Sequence, residues 1–255
     1  MRSARRGAQP LAHAAINFAL YEKGQPRQWV LSEYPLLSVE DGARTLRIGG
    51  SSLRWNDDGT MSASVAERTP WLGKPVRAEL HFTPEVRGTD AYQLVNGLSH
   101  YWQPFAPRGS AKVSLSYRDL TLEGRGYHDG NHGEVPLGTD LRGWDWERTH
   151  HRDFTRITYR PWQDETTPLV VSASSGALIA TRAHLPPAMT VTTGWGLPVP
   201  AREPMALLES SPFYARLEHR EEHAETMGEV ADFQRFRTPP FTWMASFRTR
   251  VERDS

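Results

Sequence analysis

Apolar residues in this chain recur at every second position in short runs, and glycine or proline cuts each run before it grows long. Ile16, Phe18 and Leu20 alternate with Asn17 and Ala19, Val76 to Phe82 alternates and ends at Pro84, and residues 112–117 do the same. A period of two places alternate side chains on opposite faces of a strand. The 20 glycines and 19 prolines are spread along the whole chain, which favours many short elements over long helices. Strand candidates follow one another about every 8–15 residues with turn chemistry between them, the pattern of an antiparallel barrel or sandwich.

The remaining runs repeat the style. Residues 29–31 follow a turn at 24–26, and residues 45–48 and 52–55 flank Gly49-Gly50 as a hairpin. No helical stripe stands out in the first half. Further strands are expected at 154–159, 169–173, 177–182 and 189–193. Residues 212–218 and 230–236 read as a hairpin around an acidic loop at 221–228, and residues 243–251 as a last strand. Residues 1–10 read as a disordered arm. Two β-rich halves meeting near residues 140–150 are the simplest architecture for 255 residues, a length that holds one large or two small domains.

Composition removes several function classes. Thirty basic and thirty acidic side chains leave no net charge, which argues against nucleic acid as a partner. There is no cysteine, so thiolate catalysis and cysteine metal sites are excluded. No apolar run approaches the ~20 residues that span a bilayer. The basic start, with Arg2, Arg5 and Arg6, is followed by a stretch interrupted by His13 and Asn17, unlike a secretory leader. A cytoplasmic protein is expected, with peripheral contact to a membrane surface open.

The richest polar stretch is Gly124-Arg125-Gly126-Tyr127-His128-Asp129-Gly130-Asn131-His132-Gly133. Its glycines suggest a strand end opening into a shaped loop. In extended chain, Tyr127 and Asp129 point one way and His128 the other. His100 and Trp102 share a face of an earlier strand, and Trp144 and Trp146 share one opposite Asp145 and Glu147. If these strands are neighbours, a carboxyl in an apolar pocket, its pKa raised, can serve as a general acid. An indole face stabilises a cation by ~0.5–2 kcal/mol. Together they suit protonation of an alkene, with His100 or Tyr127 handling the water that captures the cation. The plain alternatives are core packing for Trp102 and a self-bonded polar turn for Asp129.

Two other readings stand beside this one. His128, Asp129 and His132, with His150-His151, offer metal ligands, but helical context and an HExxH motif are lacking. No metal and no cofactor are expected. An aromatic-rich barrel can also simply carry an apolar ligand. No Gly-x-Ser-x-Gly, Walker A or Gly-x-Gly-x-x-Gly is present, so nucleophilic hydrolysis and nucleotide binding are weakly supported.

Several segments, in order, resemble the carotenoid 1,2-hydratases (hydroxyneurosporene synthases), members of a wider superfamily with AttH-like proteins and some Diels–Alderases. They are residues 15–21, 48–55, 100–108 (His-Tyr-Trp-Gln-Pro-Phe-Ala-Pro-Arg), 126–133, Pro136-Leu137, 144–148, 209–216 and 243–248. The resemblance implies an all-β fold of two lipocalin-like antiparallel β-barrels packed side by side, residues 1–145 with most of the active site and residues 146–255. It implies cofactor-independent addition of water to the terminal C1=C2 bond of an acyclic carotene or related polyene. Asp129 would be the proton donor, with Tyr127, His100 and Trp102 around the alkene; Trp144, Trp146, His128 and Asn131 would bind substrate. The alternatives are a lipocalin-type carrier and a cyclase or pericyclase on the same fold.

Overall fold

The computed structural model describes residues 10–163, 166–185 and 189–252. The arm expected at residues 1–10 lies almost wholly outside them. Alternation makes strands almost everywhere it was expected. The first half supplies β1 (Ala14–Glu22), β2 (Gln25–Tyr34), β3 (Val39–Asp41), β4 (Thr45–Ile48), β5 (Ser51–Trp55), β6 (Met61–Arg68), β7 (Pro75–Val86), β8 (Tyr92–Gln93), β9 (His100–Leu115) and β10 (Leu120–Gly133). The second supplies β11 (Gly143–His151), β12 (Phe154–Pro161), β13 (Leu169–Ser174), β14 (Ala177–Arg182), β15 (Thr190–Thr192), β16 (Pro198–Pro200), β17 (Met205–Ser210), β18 (Tyr214–Glu221) and β19 (Ala224–Asp232). Helices α1 (Phe233–Phe236) and α2 (Pro239–Arg248) and strand β20 (Arg250–Val251) close the described chain.

The fold is all-β, built on two large antiparallel sheets. One runs β10-β9-β7-β6-β5-β4-β3 with β8 beside β9, and the other β14-β13-β12-β11-β19-β18-β17. Among the described residues neither path of paired strands closes on itself. The changeover lies between Gly133 and Gly143, and the boundary expected between residues 145 and 146 falls inside β11. A third sheet, β1-β2-β20, brings the end of the described chain back to its first strands, with Ser32 opposite Arg250.

Three expectations are corrected. The stretch rich in glycine is no loop, because β10 continues to Gly133. Its glycines make room for rings: a methyl group at Gly126 would stand 2.6 Å from Phe82 carbons. The acidic stretch expected as a loop is mostly β19, since Glu225, Thr226 and Met227 register directly against β11. The last stretch is mainly helical, because Pro239 and Pro240 occupy the first turn of α2, where a missing N–H is harmless. Trp243 and Phe247, four apart on that helix, then meet with ring centroids 4.2 Å apart.

β9 runs sixteen residues through two prolines. Its pairing with β10 shifts twice, and at each shift β9 holds one residue more than its partner. Pro107 lies in one of these bulges and Pro104 in the other. A proline cannot give a ladder hydrogen bond, and a bulge is where a strand tolerates it. The main core forms from residues of both large sheets, including Trp102, Trp144, Ile157, Tyr159 and Val171. That core positions the site.

Candidate active site

Tyr127, Asp129 and Asn131 follow one another at every second position of β10. Trp102 of β9 stands opposite Asn131 in register, which makes Asp129 its diagonal neighbour, within reach of a long side chain. The Trp102 Nε1 donates to Asp129 Oδ2 at 2.6 Å, and the Tyr127 hydroxyl donates to the same oxygen at 2.8 Å. Both of these bonds leave Asp129 Oδ1 free of them. Burial pushes the Asp129 carboxyl above the usual carboxylate range, although both hydrogen bonds pull it down; nearby Glu229 adds to the rise and Arg148 opposes it. Burial, with Asp129 beside it, also holds the Tyr127 phenol far up.

The second sheet supplies the facing wall. The Trp146 ring lies 5.3 Å from Tyr127, and the Arg148 guanidinium sits 5.1 Å over the same phenol. Tyr159 packs 5.6 Å from Trp102 and donates to Asn131 Oδ1 at 3.2 Å. Trp144 packs 5.5 Å from the other side of this aromatic row, against Tyr159. Its Nε1 donates to Glu229 Oε1 at 3.3 Å, while Tyr214 and Arg216 both donate to Glu229 Oε2, at 2.8 and 3.2 Å. Asp145 and Glu147 take the opposite face, paired with Arg160 and Arg202, as the alternation predicts.

The same face continues to a cavity of 440 Å³ walled by Trp29, Leu31, Phe213, Tyr214 and Phe236, with Glu209 as its carboxyl. Tyr21 donates to Glu209, whose pKa burial pushes up. Tyr214 belongs both to this wall and to the Glu229 cluster, so an apolar ligand in the cavity ends close to the aromatic row.

Of the eight residues singled out from sequence, six gather here or beside it: Asp129, Tyr127, Trp102, Asn131, Trp144 and Trp146. His100 is buried on the strand of Trp102, but its Nε2 is bonded to Asp140 Oδ1 at 2.7 Å and no hydrogen bond joins it to Asp129. His128 faces away, between Trp55 and Phe105 with ring centroids at 5.5 and 5.1 Å. Among the described residues no group of three or more His, Cys, Asp or Glu side chains is arranged to hold a metal ion. Sequence reasoning missed Tyr159, Arg148 as a neighbour of Tyr127, and Glu229. Glu229 falls between the loop expected at 221–228 and the strand expected at 230–236, and its signal was its alternate position in one continuous strand, β19.

The chain matches the model of the family described as carotenoid hydratase CrtC over residues 1–254. An acyclic carotenoid 1,2-hydratase from Thiocapsa roseopersicina is 31% identical over 268 residues, covering 96% of this chain; the chain spans 64% of that protein's length. Another acyclic carotenoid 1,2-hydratase, from Cereibacter sphaeroides, is 27% identical over 94% of this chain and 90% of its own. The crystal structure of an AttH-like protein from Nitrosomonas europaea superposes with a TM-score of 0.57 at 13% identity, covering 85% of this chain and 80% of that one. At that identity the likeness concerns the fold.

Proposed function

This chain belongs to the CrtC family of carotenoid hydratases, and from that membership we propose that it adds water across the terminal C1=C2 bond of an acyclic carotene or related polyene. The observation that carries this reading is the Asp129 carboxyl, buried beside an aromatic row with both of its donors on one oxygen. With Oδ2 occupied, Oδ1 is the atom that carries the proton. Protonation of C2 by Oδ1–H leaves a tertiary cation at C1, faced by the indoles of Trp102 and Trp146. The bonds from Trp102 and Tyr127 strengthen as Asp129 becomes anionic, so they stabilise charge that develops during the transfer. Water then attacks C1 and loses a proton. Nothing is oxidised or reduced, so the chemistry needs no redox cofactor.

In this proposal the polyene lies along the cavity wall of Trp29, Phe213 and Tyr214 and reaches inward past Trp144 and Trp146. His100, fixed by Asp140, holds the strand that presents Trp102. Asn131 orients Tyr159 against the same end of the substrate. The two large sheets are read as walls of two lipocalin-like barrels, one in each half of the chain.

A water-insoluble substrate also calls for a membrane-surface contact. Among the described residues no helix is long and apolar enough to cross a membrane. Trp71 is 74% and Trp243 61% exposed, and the rings of Trp71, Phe247 and Trp243 touch in sequence. Residues 68–74 and 239–249 carry Arg68, Lys74 and Arg248 with no acidic residue. Exposed aromatics flanked by cations suit an anionic lipid surface.

The cavity equally suits a carrier, and one experiment separates the readings. The protein and Asp129→Asn are incubated with lycopene or neurosporene in detergent and ¹⁸O-labelled water. A product heavier by one labelled water, absent with the variant, is the expected result. Pigment that co-elutes unchanged with both proteins would indicate a carrier, and an isomer of unchanged mass a cyclase.

A further inference from the structure

Hydration needs a second group, one that takes the proton released when water attacks the cation. The Nε2 of His100 is engaged by Asp140 at 2.7 Å, and no hydrogen bond joins His100 to Asp129. Glu229 does lie on the right face. It stands directly opposite Trp146 in the pairing of β11 with β19, and Trp146 touches Tyr127. The aromatic row Trp102–Tyr159–Trp144 has one carboxyl at each end, each bonded by the indole N–H nearest to it.

The filling of the lone pairs also fits. Glu229 Oε2 accepts from both Tyr214 and Arg216, whereas Oε1 accepts only the long 3.3 Å bond from Trp144. Oε1 therefore has a lone pair to offer. Arg216 pairs with Glu229 at 3.2 Å, and the Glu229 side chain is 24% exposed, so water reaches it. Tyr214 lies between Glu229 and the apolar cavity, the side from which a polyene would arrive.

We propose that Glu229 is the base of the reaction, accepting through Oε1 a proton from the water that attacks C1. This rests on the hydratase reading. The step balances: the water oxygen forms the bond to C1, one of its O–H bonds breaks, and that proton goes to Glu229. Asp129 has by then lost its proton to C2, and exchange with solvent restores both carboxyls.

The test is Glu229→Gln assayed in D₂O with the full chain, following alcohol formation and deuterium uptake into recovered polyene. Without its base the cation forms and returns to alkene. Alcohol formation should fall about a hundred-fold, within the range for loss of a general base, while deuterium still enters the alkene terminus within a few-fold of the wild-type rate. Alcohol formation kept within about ten-fold of wild type overturns the proposal. So does joint loss of alcohol and exchange in a folded variant, which would place Glu229 in the protonation step or in the scaffold. If Glu229→Gln does not fold because Arg216 loses its partner, Glu229→Gln with Arg216→Met carries the same test. Absence of both alcohol and exchange in the unsubstituted protein would instead sink the hydratase reading itself.

Discussion

Asp129 and Glu229 are held by the same kinds of donor and differ in the cation beside them. Each accepts from an indole N–H and a phenol O–H. Glu229 also has a guanidinium in contact, that of Arg216 at 3.2 Å. The arginine near Asp129, Arg148, is stacked over Tyr127 and makes no hydrogen bond to the carboxyl. A direct ion pair fixes negative charge, and burial without one favours the neutral acid. In the proposed reaction the donor Asp129 and the acceptor Glu229 stand at opposite ends of one aromatic row, the arrangement in which paired titratable groups take different roles.

The largest expected effect comes from erasing the donor. Asp129→Asn should lower hydration by roughly 10²–10⁴-fold, measured as alcohol formed per enzyme, while Glu229→Gln leaves proton exchange running. If both substitutions abolish exchange equally, the two ends do not differ as described. A smaller effect is expected from Tyr127→Phe. The Tyr127 hydrogen bond pulls the Asp129 pKa down, so its loss raises that pKa further and moves the alkaline limb of the pH–rate profile upward. The plateau below the limb should fall about ten-fold, because one charge-assisted hydrogen bond is lost. Tyr214→Phe, acting on Glu229, should leave that limb in place.

Stability sharpens the same contrast. Asp129 has its folded pKa raised by burial, so its protonated form stabilises the fold at pH below its unfolded pKa, and that contribution is lost as pH rises through the folded pKa. At neutral pH Asp129→Asn should therefore melt higher than the unsubstituted protein. The gain should vanish as the pH is taken below the ordinary carboxylate range, and a gain constant with pH would contradict this origin. The smallest effect belongs to Tyr159→Phe. It removes only the 3.2 Å bond to Asn131 and leaves the ring between both carboxyls, so Tm should fall by no more than about 4 °C with turnover nearly kept.

Much of the site is legible in the amino-acid sequence. The faces of Tyr127, Asp129 and Asn131, and of Trp144 and Trp146 against Asp145 and Glu147, follow from the pleat alone. The hairpin at Gly49-Gly50 follows from its turn residues. His100 shows the limit of that reasoning: it does share a face with Trp102, yet Asp140, forty residues on, engages it. The glycines of β10 look like turn residues in sequence because the rings of Phe82 and Phe105 that they accommodate belong to other strands.

By itself, then, the sequence determined that this is a chain of short antiparallel strands and which side chains of each strand travel together. Alternation and turn chemistry are local, acting over a few residues, and they survive without knowledge of neighbours. Which strands stand side by side, and at what register, was decided only by tertiary packing. The step from β11 to β19 spans some eighty residues, and a slip of one residue would turn Glu229 to the opposite face. The burial of Ala231 opposite Trp144 in the main core, and of Val230 on the other face, fixes that register and with it the position of Glu229.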